Sequence, residues 1–201
     1  MDPKSYLHDQ LQDTEQIIWE GRPLKKAMRL QAIFGMLPIV IFWLSFATIF
    51  ISGTFIGGAS LMMLVFIIPF FAVWLTPVWI WIGGIFMVGA KYNKTYYIIT
   101  NRRILLMNGS AFGREFENLY YQNVGDLHLN MAFIDNMCGT GTINLNVKGH
   151  EGEHHTISHI ENSEEIFKNM QKCIFDIASD VYFPNDKRPL ENHGYNTEYR
   201  S

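Results

Sequence analysis

The strongest feature of the hydrophobic pattern is a run of 61 residues, residues 30–90, that contains no Asp, Glu, Lys or Arg. The run is rich in Phe, Ile, Leu, Met and Trp, and a charge within hydrocarbon costs several kcal/mol. The sequence therefore predicts a membrane protein whose polar parts are attached to the two ends of this run.

The run divides into two apolar segments. Residues 30–51 have the length of about 20 residues that a membrane-spanning helix needs, and the uncharged, glycine-rich residues 52–58 predict the turn of a helical hairpin. Residues 59–90 would reach about 48 Å as a straight helix, more than the hydrocarbon thickness of about 30 Å. We expect this second segment to tilt, to bend at Pro69 or Pro77, or to project beyond the membrane. Its division into two shorter spans is the alternative.

Basic residues flank the run at both ends, whereas the connector has none. Lys25, Lys26 and Arg29 precede the run, and Lys91 and Lys94 follow it. Because cytoplasmic flanks carry an excess of Lys and Arg, we expect both termini in the cytoplasm and a multi-pass protein in the inner membrane.

The polar segment before the run, residues 1–29, is expected to be cytoplasmic. Residues 1–14 predict a loose polar lead. Residues 15–23, EQIIWEGRP, predict a short strand or an interfacial anchor that ends at Gly21 and Pro23.

After the run the pattern changes to short strands, in a domain expected over residues 91–182. Strands are predicted at residues 96–100, 103–107, 111–117, 124–129, 142–147 and 154–157. Asn101 and Arg102 predict a tight turn. Asn108 and Gly109 predict a type I′ hairpin turn, because both of its central residues need positive φ. Residues 149–152 predict a loop.

One amphipathic helix closes this domain. Asn162 is the predicted N-cap, and Glu165 follows in the first turn. The apolar stripe expected to pack on the sheet consists of Ile166, Met170, Ile174, Ile177 and Val181. Residues 183–201 have no period and predict a disordered tail.

Composition excludes several function classes. The formal net charge is −3, which argues against a nucleic-acid partner. Cys138 and Cys173 have neither a disulfide-framework nor a zinc-site spacing. No nucleophile elbow or other catalytic constellation is visible, so we expect no enzyme and no cofactor.

A histidine-rich stretch invites a metal hypothesis. Its potential ligands are His150, Glu151, Glu153, His154, His155 and His159. However, adjacent residues of a strand point to opposite faces, so His154 and His155 cannot readily hold one ion together. A solvated loop followed by a polar strand is favoured, and no metal is expected.

Short antiparallel strands followed by one amphipathic helix are the order of a pleckstrin-homology (PH) domain. Residues 97–103, YIITNRR, and the Gly-Thr-Gly at residues 139–141 resemble the bacterial PH domain, YdbS-like membrane family, and residues 19–23, WEGRP, are also similar. The resemblance covers residues 15–182. Its motif positions are Trp19, Gly21, Pro23, Tyr97, Thr100, Asn101, Arg102, Arg103, Gly139 and Gly141.

The resemblance implies an α+β membrane protein with a two-helix transmembrane hairpin. A PH-like antiparallel β-barrel or sandwich follows it, capped by the C-terminal helix. The expected function is that of a non-enzymatic, membrane-anchored module. It would act as a protein-interaction or membrane-surface scaffold on the cytoplasmic face, with an unidentified protein partner. The alternative is a membrane component that binds or handles lipid or a small solute through the hairpin, and the lack of ionisable groups in the run weakens it.

The basic residues Lys91, Lys94, Arg102, Arg103 and Arg114 are expected where the domain meets the bilayer. There they could hold anionic lipid headgroups at about 1 kcal/mol per cation. The positive-inside rule alone explains Lys91 and Lys94, whereas lipid contact and hairpin capping both stay open for Arg102 and Arg103. The short link from Lys91 to the first confident strand predicts a domain held against the membrane.

Overall fold

The computed structural model describes residues 2–13, 15–58, 61–110, 112–148 and 154–182, the side chains of residues 61–64 and 178–182 excepted. The chain forms two compact units. The β unit contains Met1–Ala27 and Ala90–Ser201, and the apolar unit contains Met28–Gly89. The predicted loop at residues 149–152 and the predicted tail at residues 183–201 lie outside the described residues.

The β unit contains two antiparallel sheets. The first has the strand order β1 (Ile17–Gly21), β2 (Tyr96–Thr100), β3 (Arg103–Gly109) and β4 (Arg114–Tyr120). The second has the order β5 (Val124–Asn130), β6 (Thr140–Val147) and β7 (His154–Glu161). The segment predicted as a strand or an interfacial anchor is therefore strand β1, in which Trp19 lies opposite Ile99.

The strands do not close into one barrel. A 3-10 helix, Tyr121–Asn123, ends the first sheet before β5 begins, and β7 does not pair with β1 in the described part of the chain. On that side the Leu24 N–H, just beyond β1, donates to the His159 carbonyl at 2.7 Å. Of the two forms expected, barrel or sandwich, the described strands therefore match two stacked sheets.

The main core lies between the two sheets and helix α7 (Ser163–Tyr182). Its fully buried members include Ile99 and Leu106 of the first sheet and Ile143 and Leu145 of the second. From the predicted stripe of α7, Ile166 and Met170 are buried and Ile174 and Ile177 are partly buried, whereas the side chain of Val181 lies outside the description. The helix begins where the Glu165 and Ile166 amides donate to the Asn162 carbonyl.

Residues 2–13, the described part of the loose lead that the sequence predicts, contain a helix. Helix α1 (Pro3–Asp9) places Leu7, which is fully buried, in a second apolar cluster with Ile98 and Leu105. Strands β2 and β3 are thus covered on both faces, which explains why all five residues of β2 are buried.

The predicted turn at Asn108 and Gly109 is wrong, because β3 continues through Gly109. The turn follows it: the Ser110 N–H donates to the Gly113 carbonyl at 3.0 Å, and the Gly113 N–H donates to Ser110 Oγ at 2.8 Å. A Cβ on Gly109 would lie 2.5 Å from the Lys91 carbonyl oxygen. This glycine therefore permits close approach to a helix and does not serve a positive φ.

Four helices make up the long apolar run and its flanks: α2 (Lys25–Phe34), α3 (Leu37–Ile56), α4 (Leu61–Trp74) and α5 (Thr76–Lys94). The connector predicted at residues 52–58 is helical as far as Ile56, and the turn is at Gly57 and Gly58. The axes of α4 and α5 differ by 51° across Leu75, so the bend lies two residues before Pro77, while Pro69 stays inside α4.

Within the apolar unit, aromatic rings join α3 to α4. The ring centroids of Trp43 and Trp74 are 4.5 Å apart with the planes at 87°, and those of Phe50 and Phe71 are 5.4 Å apart. By length and composition, the helical stretch Lys25–Ile56 is long and apolar enough to cross a membrane. The stretch from Val65 to Lys94 qualifies only if its bent pair of helices counts as one span.

Candidate functional site

The YIITNRR segment, the most specific motif in the sequence, builds the turn between β2 and β3. The Thr100 hydroxyl accepts hydrogen bonds from the Arg102 and Arg103 amides at 3.2 and 3.0 Å and donates to the Arg103 carbonyl at 2.8 Å. The Asn101 side chain accepts a hydrogen bond from the Gln16 amide at 3.1 Å, next to β1. These motif residues therefore fix the first sheet.

Arg103 lies inside the β unit and is only 6% exposed. Its Nε is 2.8 Å from a carboxylate oxygen of Glu15, and its Nη2 donates to the Gln10 carbonyl at 2.7 Å. The guanidinium also lies 5.8 Å from the centroid of the Tyr120 ring. The cationic group of Arg103 is therefore paired within the β unit. Headgroup contact by Arg103, which the sequence leaves open beside hairpin capping, stays a prediction.

The five basic residues predicted to cluster fall into two separate groups. Strand β3 pairs with β4 so that Arg103 faces Tyr120 at one end and Gly109 faces Arg114 at the other. Six residues of strand at about 3.3 Å each separate these ends by about 20 Å. Arg102 lies with Arg103, whereas Lys91 and Lys94 lie with Arg114 at the Gly109 end.

The remaining motif residues also have structural roles. A Cβ on Gly21 would lie 2.6 Å from the Trp19 indole, so glycine lets that ring fold back over β1. Pro23 is buried. Burial raises the pKa of Tyr97, and its hydroxyl donates to the Asn108 side chain at 3.2 Å. Gly139 has a φ of 69° and ends helix α6 (Phe133–Cys138).

Gly141, the last motif glycine, provides another close approach. A Cβ there would collide with the Ser163 hydroxyl at the start of α7, and the ladder to β7 shifts register between Gly141 and Ile143. This shift is a bulge or irregularity in the β6–β7 ladder.

Two further cations, Arg22 and Lys25, lie beside the end of α5, although the sequence does not assign them to the site. The guanidinium of Arg22 lies 5.8 Å from the centroid of the Tyr92 ring, and Lys25 Nζ lies 5.3 Å from it. These distances are within the range of a cation–π interaction. We define the basic cluster as Arg22, Lys25, Lys26, Lys91 and Lys94. Arg22 belongs to the WEGRP motif, which could have drawn attention to it. Its contact with Tyr92 could not be predicted, because the two residues are far apart in sequence.

Part of the basic cluster lines a cleft of about 470 Å³ that includes Arg22, Lys25, Lys26 and Tyr92. Glu20 also lines the cleft, but it lies 2.8 Å from Lys4 and 2.6 Å from His8. The hydrogen bond from Lys4 holds the pKa of Glu20 below its usual value. Its negative charge is thus balanced from outside the cleft.

A second cavity, of about 480 Å³, lies beside a buried carboxylate. Asp135 lines it together with Asn162, Ser163 and Lys168. The carboxylate of Asp135 lies 2.7 Å from His159 Nδ1, and the Thr140 hydroxyl donates to it at 2.8 Å. Burial acts to raise the pKa of Asp135, but these hydrogen bonds outweigh it and the pKa is lowered.

The histidines of the metal hypothesis have separate partners. His154 Nδ1 lies 2.7 Å from the Asn146 side chain, and His155 Nδ1 lies 2.6 Å from the Glu117 carboxylate. Among the residues that the structure describes, no three potential ligands are grouped for a metal ion. His150, Glu151 and Glu153 lie outside that part of the chain.

Comparison with known proteins identifies the family. A model described as "Bacterial PH domain" matches residues 32–173. A pleckstrin-homology domain protein of the DUF1696 family from Shewanella loihica is 13% identical, with a TM-score of 0.30, over 41% of this chain and 68% of that chain. The Vps36 N-terminal PH domain is 9% identical, with a TM-score of 0.34, over 44% and 67%.

Both TM-scores are low, and neither likeness adds to the family match. No curated protein matches the chain. The family match covers more than half of the 201 residues and extends from α2 into α7. The chain belongs to the bacterial PH domain family.

Proposed function

We propose that this protein is a non-enzymatic, membrane-anchored binding module whose β unit stays on the cytoplasmic face of the inner membrane. The observation that carries the proposal is the contact between the two flanks of the apolar run. Arg22 and Lys25, from before the run, lie against Tyr92, from after it. Since both flanks belong to one compact unit, this contact supports a run that begins and ends on the same side of the bilayer.

The surface of the apolar unit supports membrane insertion. Large side chains such as Phe66, Val73 and Phe86 are 72%, 75% and 82% exposed. Water would disfavour so much exposed apolar surface, whereas lipid tails would solvate it.

Polar side chains in α3 have partners within the helix, as a membrane helix requires. The Ser45 hydroxyl donates to the Ile41 carbonyl at 2.7 Å, and the Thr48 hydroxyl donates to the Leu44 carbonyl at 2.8 Å. Neither hydroxyl would be left unsatisfied in hydrocarbon.

The basic cluster supports the orientation and a lipid contact. Lys25 and Lys91 are exposed at the two flanks of the run, and Arg114 is exposed at the start of β4. Cations at both flanks favour the cytoplasmic side, where anionic headgroups attract each of them by about 1 kcal/mol. In this proposal Lys91, Lys94 and Arg114 contact anionic headgroups, and Arg22 and Lys25 join them.

PH domains bind proteins or lipids, and nothing in the described residues or the comparisons indicates an enzyme. A scaffold for a protein partner could use β4, an edge strand with most residues exposed, for strand addition. The alternative, a hairpin that handles lipid or solute itself, gains no support from a run without Asp, Glu, Lys, Arg or His.

Cysteine accessibility tests the topology. In a Cys138→Ser background, Ile56→Cys places a thiol at the 88% exposed end of α3, and Asn123→Cys places one on the surface of the β unit. We expect a membrane-impermeant maleimide to label position 56 in intact cells and position 123 only in inverted vesicles. Labelling of both positions from the same side would refute the proposal.

A further inference from the structure

Among the residues that the structure describes, the turn between β3 and β4 carries the most exposed large apolar side chain. Phe112 is 93% exposed, whereas Phe116, two residues into β4, is 37% exposed and stacks edge-on against Tyr6. A single exposed apolar residue is ordinary on a protein surface. Phe112 differs because of the support beneath it and the charges around it.

The backbone beneath Phe112 is held in place. Ser110 and Gly113 exchange two hydrogen bonds, and Lys94 Nζ donates to the Ser110 carbonyl at 3.3 Å. The Gly109 amide donates to the Thr95 hydroxyl at 3.1 Å, directly after α5. The turn is therefore fastened to the last turn of α5, the helix that ends the apolar run.

Three basic residues lie around the turn that carries Phe112, and the exposed Glu115 follows Arg114 in β4. Arg114 is exposed and lies opposite Gly109 in the sheet, and Lys91 and Lys94 approach Gly109 from α5. An aromatic side chain among cations suits the membrane interface, where apolar groups enter the acyl boundary and cations meet anionic headgroups. We favour a bilayer over a protein partner because the turn is attached to the end of α5, the helix that ends the uncharged run.

We propose that the β3–β4 turn inserts Phe112 into the cytoplasmic interface of the bilayer, with Lys91, Lys94 and Arg114 on the headgroups around it. The inference rests on the proposed function, since the apolar run must first anchor the chain. Burial of a Phe side chain favours the inserted position by about 10- to 100-fold. Each cation adds about fivefold when the lipid is anionic.

The test uses the full chain in nanodiscs of phosphatidylglycerol and phosphatidylcholine. Phe112→Cys in the Cys138→Ser background carries an environment-sensitive fluorophore. Phe133→Cys is the matched control, because Phe133 is 78% exposed in the same unit and lies on α6. The Cys138→Ser chain without an added cysteine reports any labelling of the buried Cys173.

We expect the probe at position 112 to show blue-shifted emission and quenching by spin-labelled lipids with shallow nitroxides, and the probe at position 133 to show neither. Quenching at 112 should fall by about fivefold or more in Lys91→Gln/Lys94→Gln, but not in Lys168→Gln/Lys172→Gln, whose lysines are exposed on α7.

Three outcomes overturn the inference in distinguishable ways. Equal, water-like emission at positions 112 and 133 in a well-incorporated protein would reject insertion and leave the proposed function intact. A blue shift at 112 without lipid quenching would assign the site to protein contact. Failure of the chain to enter nanodiscs would reject the membrane anchor itself.

Discussion

The buried pair of Asp135 and His159 supports the side of the second sheet that is hydrogen-bonded to Leu24, in the segment after β1. Both side chains are at most 5% exposed, and Asp135 accepts hydrogen bonds from Thr140 and Thr142 in addition to its contact with His159. The His159 carbonyl in turn accepts from Leu24, one residue before α2. Loss of the pair should therefore loosen β7 and this link together.

Replacement of Asp135 by Ala should lower the opening free energy of the second sheet by about 3–5 kcal/mol. The change removes the carboxylate that the His159 ring and the Thr140 and Thr142 hydroxyls contact in the interior, and each buried polar group that loses its partner costs about 1–3 kcal/mol. Hydrogen exchange of the full chain in nanodiscs measures the effect. The amides of β6 and β7, and the Leu24 amide, should exchange about 100- to 4,000-fold faster, at tenfold for each 1.4 kcal/mol.

The double variant Asp135→Ala/His159→Ala isolates the pair. We expect a coupling energy of about 1.5–3 kcal/mol, the value of a hydrogen bond to a charged group. His159 has a φ of 53°. His159→Gly should therefore be about 1 kcal/mol less destabilising than His159→Ala, because glycine adopts this conformation without strain. Additivity of the two single variants within about 0.5 kcal/mol would refute the reasoning.

Three further predictions concern the β unit. The pKa of Asp135 is lowered in the folded state, so its ionised carboxylate stabilises the fold at pH values above the unfolded pKa of about 3.9. This stabilisation is lost as the pH falls through the folded pKa. Acid unfolding followed by near-UV circular dichroism should show that Asp135→Asn lacks this pH-dependent stabilisation. Gly109→Ala should lower the opening free energy of β3, measured by hydrogen exchange, by about 1–3 kcal/mol. Gly113→Ala should not lower it, because a Cβ at Gly113 has ordinary space. Arg103→Met should lower the stability by about 3–5 kcal/mol in thermal melts, against about 0.5 kcal/mol or less for the exposed Arg114→Met.

Features set by local periodicity could be predicted from the sequence. In β6, Ile143 and Leu145 are buried while Asn144 is partly exposed, as the alternation requires. Helix α7 follows its apolar stripe for the same reason, since one face of a regular element must be buried. The segment around Thr100 lies within the family match, but its chemical role is visible only in its hydrogen bonds to the neighbouring amides.

Features held by distant contacts could not be predicted. Helices α1 and α6 have seven and six residues, too few for a helical period, and packing rather than propensity must hold them. Gly109 illustrates the same limit, because its need for glycine comes from the backbone of α5 and not from its own turn. In the candidate site, Arg22 was missed because its contact with Tyr92 joins residues on opposite sides of the apolar run.

In the membrane topology that we propose, the contact of Lys25 with Tyr92 also bears on the number of crossings. Helix α3, with 20 residues, reaches about 30 Å and matches one crossing. Helix α4, with 14 residues, reaches only about 21 Å, which is short for a separate crossing. This length favours one bent crossing formed by α4 and α5 together over two separate crossings. A protein with three crossings would place its two cationic flanks on opposite sides of the bilayer. Strand β1 precedes the run and strand β2 follows it, so three crossings would separate the two strands. The first sheet would then lose its β1–β2 pairing.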